Sequence, residues 1–206
     1  MDTTTLIETN RLLDHPFYRR WEEGKLEEGE LSSYAAQYRY FEAQLPEFLT
    51  ALSALVVDRD AQALVDANLA DELDGPETHL ALFDRFARAV DAPDEALSPA
   101  MATLVNTYKE AIANKDSSFA LGVLAGYEVQ AAEVAATKGE GLAAHYGVTG
   151  EGLSFWNLHA EVEQDHAAWT LSAGASCDTE QFIKGARASS SAWWGFLDER
   201  EALHAA

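Results

Sequence analysis

Cysteine is almost missing from this 206-residue chain. Its one thiol, Cys177, can form neither an intrachain disulfide nor a thiolate metal cluster. It sits in the small and polar stretch GASCDTEQF, the context of an incidental thiol in an interhelix loop. Basic residues are also scarce: 14 Lys and Arg stand against 35 Asp and Glu, for a net charge of −21. Such a surface repels phosphates and anionic lipid, so neither nucleic acid nor a membrane is an expected partner. The acidity equally suits a solvated surface and a high-salt cytoplasm. No run of about eighteen uncharged apolar residues exists, which argues against a membrane span. The first residues, MDTTTLIETN, are acidic rather than basic-then-apolar, so a cytoplasmic location is expected. Repeats, low-complexity tracts and Pro/Ser/Gly-rich linkers are missing too. With 48% apolar residues, one domain over 1–206 with its own core is the expectation.

Strand alternation is absent, and apolar spacing is helical nearly throughout. The spacing predicts helices from Thr5 to about Asp14 and over Pro16–Glu23. A long helix should start at Ser32 or Ser33 and run to Val57, bent at Pro46. Another runs from about Asp60 to Asp74 and stops at Gly75-Pro76, with Pro76 in the first turn of the next helix, to Val90. Pro99–Asn114, Ser117–Lys138, Gly152–Ala173 and Thr179 to about Leu203 complete an all-α bundle of seven to eight helices.

Histidines number only six, which makes their placement informative. His159-x3-Glu163-x2-His166 has offsets of four and seven residues, turns of about 40° and −20°, so the three share one helix face. Asp165 and Glu161 miss that face. The pattern suits a metal site and a polar bundle seam equally. Mixed nitrogen and carboxylate donors favour iron or manganese over structural zinc. Glu72 and His79 flank Gly75-Pro76, placing Glu72 in a last helical turn and His79 in the next first turn; alone, the pair reads as a surface acid and a capping histidine. Glu128 lies in the apolar stretch FALGVLAGYEVQAAEV, where a carboxylate is costly to bury unless paired or metal-bound. Glu133 faces the opposite way, and periodicity does not choose between them.

Four stretches in this order, HPFYRRWEEGKLEEGELSSYAAQY, NLADELDGPETHLALF, YEVQAAEVAATKGEGLAAHYGV and FWNLHAEVEQDHAAW, resemble the haem-oxygenase-like dimetal oxidases. The resemblance covers about residues 15–166 and is greatest to the chlamydial death-domain-associating proteins and their bacterial relatives, which form para-aminobenzoate for folate. It implies a haem-oxygenase-like fold and a metal set of Glu72, His79, Glu128, His159, Glu163 and His166. Glu128 is preferred because the family's ligand follows a tyrosine, here Tyr127. It further implies an Fe/Fe or Fe/Mn pair, O2 and an external reductant. Tyr18 is implied as the sacrificed source of the aromatic ring and Lys138 as the amino donor, with Tyr34 and Tyr127 matching further tyrosines near the metal site. Two positions depart from the pattern: Glu163 stands where the family has aspartate, and Phe155 where it has tyrosine.

From the residues alone, Tyr18 reads as packing beside Phe17 and Trp21. Lys138 reads as a solvated helix end, about 15 Å along a straight helix from Glu128. Two other functions fit the same sequence: a dimetal oxidase of this scaffold acting on an external fatty acid or amino acid, and a non-catalytic helical binding or regulatory protein. A thiamin-cleaving relative would need a nucleophile that Cys177 is not placed to be. A homodimer is the prior for oligomeric state.

Overall fold

The computed structural model describes residues 6–7 and 10–204, and these contain nine α-helices, three short 3-10 turns and no strand. The helices are α1 (Pro16–Glu22), α2 (Glu28–Glu42), α3 (Leu45–Leu55), α4 (Arg59–Leu73), α5 (His79–Ala89), α6 (Pro99–Ala113), α7 (Ser117–His145), α8 (Ser154–Ala173) and α9 (Thr179–His204). Of the helix expected at Thr5–Asp14, residues 5, 8 and 9 lie outside the described residues; Leu6 and Ile7 are helical, and Leu12–Asp14 is a 3-10 turn.

Local chemistry sets most boundaries. Side-chain oxygens of Asp58, Thr78, Ser98 and Asp116 accept from the first free backbone N–H groups of α4, α5, α6 and α7. Each such cap contributes about 1 kcal/mol. Thr78 also corrects the expected start at Pro76: α5 begins at His79, after the Gly75-Pro76 turn. The long helix expected through Pro46 is two helices, separated at 43–44. Pro46 falls in the first turn of α3, where its missing N–H costs nothing. That helix also starts earlier than expected, at Glu28, because Glu30 Oε2 accepts from the Glu27 backbone N–H at 2.8 Å.

Helix α7 is the axis of the molecule. Residues Ala120–Gly126 are all buried, which is why that stretch is apolar all round rather than amphipathic. It packs along α8 on one side and α9 on the other, with α4 and α5 beyond α8 and α2 across α5 and α6. Gly122, Gly126 and Gly185 let the α7 and α9 backbones meet; a Cβ at any of them would strike carbonyl oxygen of the facing helix. α7 continues seven residues past Lys138, through Gly139 and Gly141, with Gly141 lying against the Trp21 ring. None of the helices is long and apolar enough to cross a membrane, among the described residues.

Candidate metal centre

Four helices carry the six residues of the expected ligand set, and all six are buried. Glu72 closes α4, His79 opens α5, Glu128 sits mid-α7, and His159, Glu163 and His166 line one face of α8. They fall into two groups of three, Glu72–His79–His159 and Glu128–Glu163–His166, in each of which one donor atom per residue lies within 4.8 Å of the others. The pairing across Gly75-Pro76 is resolved: the turn brings His79 Nδ1 to 3.1 Å from Glu72 Oε1. Packing also settles the two α7 acids. Glu128 points inward, whereas Glu133 is 60% exposed and pairs with Arg11. Asp165 and Glu161 are exposed, as their azimuth on α8 requires.

The two groups join at Glu163. Its Oε1 lies 3.9 Å from His159 Nε2 and its Oε2 3.6 Å from His166 Nδ1, so one carboxylate faces a histidine of each group.

Neighbouring groups set which imidazole atom is free. His159 Nδ1–H donates to the Phe155 carbonyl at 2.8 Å, leaving Nε2 for the site. His166 Nε2–H donates to Asp71 Oδ2 at 3.2 Å, leaving Nδ1. Glu128 accepts from Asn68 Nδ2 at 2.9 Å and from Thr170 Oγ1 at 3.4 Å. Such outer partners orient metal ligands and raise their basicity. Phe155, the other departure, lies over His159 at a 30° tilt with ring centroids 3.9 Å apart. It acts as an apolar wall.

Do these residues fit a pair of metal ions? Buried polar atoms are normally satisfied. Here His79 Nδ1 and Glu163 Oε2 have no hydrogen-bond partner, although His79 Nδ1 stands so close to Glu72 Oε1. Atoms that approach without bonding each other are aimed at a shared point, as ligands are. The protonation pattern agrees. Burial and the Glu163 charge push Glu128 up to about 8, and burial pushes Glu163 up as well. Burial and the charge of His79 depress His159 well below its ordinary range. Burial opposes charge on His166 too, but the carboxylates of Glu163 and Glu128 outweigh it and lift the group to about 10. Crowded carboxylates that must hold protons when no cation is present suit divalent ions with oxygen and nitrogen donors.

Beside this centre lies a second buried cluster. Tyr18 and Tyr34 hydroxyls are 2.8 Å apart, and Lys138 Nζ donates to Tyr34 at 2.6 Å. The ammonium position is 4.7 Å from the Tyr18 and Tyr38 ring centroids and 4.5 Å from Trp156. Lys138 is therefore not a solvated helix end. It does not reach along α7 toward Glu128 but sideways, between α1 and α2. Burial lowers its pKa well below the ordinary lysine range and raises those of Tyr18 and Tyr34, which favours the uncharged form of all three groups. Tyr127 bonds the Tyr38 hydroxyl at 2.5 Å and stacks on Trp193.

Sequence reasoning missed Asp71, Asn68, Tyr38 and Glu42. The first two are outer partners on α4, one turn and less from Glu72. Glu42 is a fourth buried carboxylate, on α2, with Tyr38 one turn before it. A lone acid on the inner face of the aromatic run YAAQYRYFEAQ was its only sequence signal.

Comparison with known proteins agrees with this geometry. A family model described as iron-containing redox enzyme matches residues 32–195. A 4-aminobenzoate synthase of Chlamydia pneumoniae is 33% identical over 79% of this chain and 75% of its own. One from Nitrosomonas europaea is 31% identical over 94% of this chain and 87% of its own. A solved haem-oxygenase-fold domain from Shewanella denitrificans superimposes with a TM-score of 0.74 at 13% identity, covering 98% of this chain and 88% of that one. The chain belongs to the iron-containing redox enzyme family and is an oxygen-dependent dimetal oxidase of haem-oxygenase-like fold, with two carboxylate and histidine groups that fit a dinuclear site.

Proposed function

We propose that this protein forms 4-aminobenzoate from its own Tyr18, with Lys138 supplying the nitrogen. The observation that carries the reading is the placement of Lys138 Nζ 4.7 Å from the Tyr18 ring and in hydrogen-bond contact with Tyr34, itself bonded to Tyr18. The relatives named for 4-aminobenzoate formation support the product class.

When bound by Glu72, His79, His159, Glu128, Glu163 and His166, an Fe/Fe or Fe/Mn pair supplies the reduction of O2, with electrons from an external reductant, and an oxidant able to act on a phenol. The chain's own residues do the rest. Tyr34 bridges the hydroxyl of Tyr18 to the amine of Lys138 and fixes their mutual orientation. Phe17, Trp21 and Trp156 close around the pair and keep water from competing for the ring. Keeping Lys138 uncharged leaves its lone pair available for bonding to carbon. Tyr127 and Tyr38 are hydrogen-bonded to each other, with the charge of Glu42 acting on both and that of Glu163 on Tyr127. Because the ring comes from the chain, each molecule reacts once.

Purified protein given Fe2+, Mn2+, a reductant and O2 should release no more than one 4-aminobenzoate per chain and change the mass of the Tyr18 peptide. Release of full product by Tyr18→Phe would overturn the reading and point to an external substrate on the same scaffold.

A further inference from the structure

Glu42 is 4% exposed, ends helix α2, and belongs to neither group of three. Its Oε2 has no hydrogen-bond partner. Tyr38 stands one turn earlier, its hydroxyl bonded to Tyr127. A buried carboxylate with an unmatched oxygen carries a desolvation cost of several kcal/mol unless a cation meets it. Lys138 is the cation that most lowers its pKa, and burial disfavours the charge on that lysine; the carboxylates that raise it are Glu72 first and Glu163 second. An acid held against two other acids in an apolar interior has no structural benefit to offer the metal-free fold.

The charge count gives it one. Glu72, Glu128 and Glu163 bring three negative charges, one short of two divalent ions, and the three imidazoles bring none when they bind through nitrogen lone pairs. Glu42 makes the four. The deficit is local: the group Glu72–His79–His159 holds one carboxylate of its own, whereas Glu128–Glu163–His166 holds two. Iron and manganese take up to six donors and favour oxygen, so three protein ligands leave room for another. Glu72, the acid that Glu42 confronts most strongly, is in the poorer group.

We propose that Glu42 is a further metal ligand, donating Oε2 to the ion held by Glu72, His79 and His159. This rests on the dimetal reading of the centre and is independent of the product formed there.

Titration of the metal-free full-length chain with Mn2+, followed by calorimetry and by loss of the free-ion EPR signal, tests it. Wild type binds two ions. In Glu42→Gln, one affinity falls at least about tenfold while the other stays within about twofold. The metal-free variant melts no lower than the metal-free wild type, because burial already favours the uncharged acid there. Glu133→Gln, an exposed change on α7, alters neither ion. Two unchanged affinities in Glu42→Gln overturn the proposal and leave the dimetal centre intact. Equal losses at both sites with a lowered metal-free melt also overturn it, since that is what a merely structural residue would give. Fewer than two ions on the wild type overturns the dimetal reading itself. Should Glu42→Gln not fold, a crystal structure of the Mn2+-loaded wild type decides. A Glu42 oxygen about 2.2 Å from an ion supports the assignment, and one outside coordination distance of both ions overturns it.

Discussion

Lys138 Nζ lies 4.7 Å from the centre of the Tyr18 ring, although 120 positions of chain separate the two residues. α7 carries the amine into the interior at the level of α1 and α2, and both side chains are 1% exposed. The contact leads directly to a test. Lys138→Met keeps the volume and removes the nitrogen. Tyr34 retains its bond to Tyr18, so stability should stay within about 1 kcal/mol of wild type or rise. Two ions should still bind, and 4-aminobenzoate should fall below detection. Thermal melting, metal analysis and product chromatography on one preparation check the three parts.

Asp71 is half-exposed and touches no ion, yet it sets which nitrogen of His166 is free. Asp71→Ala should leave the fold standing and weaken Mn2+ at the Glu128–Glu163–His166 group by about 10–100-fold. An unchanged calorimetric titration would show that His166 is held by packing alone.

pH should act oppositely on the metal-free and metal-loaded forms. Burial first, then the Glu163 charge, raises Glu128 from an ordinary 4.5 to about 8; against its burial, neighbouring carboxylates raise His166 from 6.5 to about 10. Both values lie above those of the unfolded chain, so the folded state holds the extra protons. The stability due to Glu128 is full below about pH 4.5 and lost as pH rises through 8; that due to His166 is full below about 6.5 and lost through 10. The metal-free protein should therefore melt progressively lower between about pH 6.5 and 9. Saturating Mn2+ displaces those protons, and its stabilising effect should grow over the same range. Melting curves with chelator and with Mn2+ at several pH values read the two slopes.

The α7–α9 contact should tolerate no side chain. A Cβ at Gly126 would strike the Ala186 carbonyl and lie 2.9 Å from Ser189 Cβ, one residue before Tyr127 and two before Glu128. Gly126→Ala should cost about 1–3 kcal/mol in urea unfolding and lower metal occupancy with it. Gly195→Ala on α9 meets nothing within 4 Å and should instead stabilise by about 0.5–1 kcal/mol. Equal effects at both would refute the close-packing account.

Much of the molecule is legible along the chain because its determinants are local. Helical periodicity, the caps at Asp58, Thr78, Ser98 and Asp116, and the punctuation at Gly75-Pro76 depend on residues a few positions apart. The same holds for His159-x3-Glu163-x2-His166, whose common face follows from 100° per residue alone. At Pro46 the expected bend is a full break, with the proline in the first turn of a new helix; at Lys138 the expected stop is overruled, and α7 runs on with Gly141 against Trp21. Only the tertiary structure decided what depends on residues far apart. It turned Glu128 inward and Glu133 out, closed His79 onto Glu72, gave Glu163 a histidine on either side, and buried Glu42 against other acids. It also brought Lys138 to Tyr18. Periodicity fixes which way a side chain points from its own helix axis; what stands there to meet it is set by how the helices pack, and that information is carried by no single stretch of the chain.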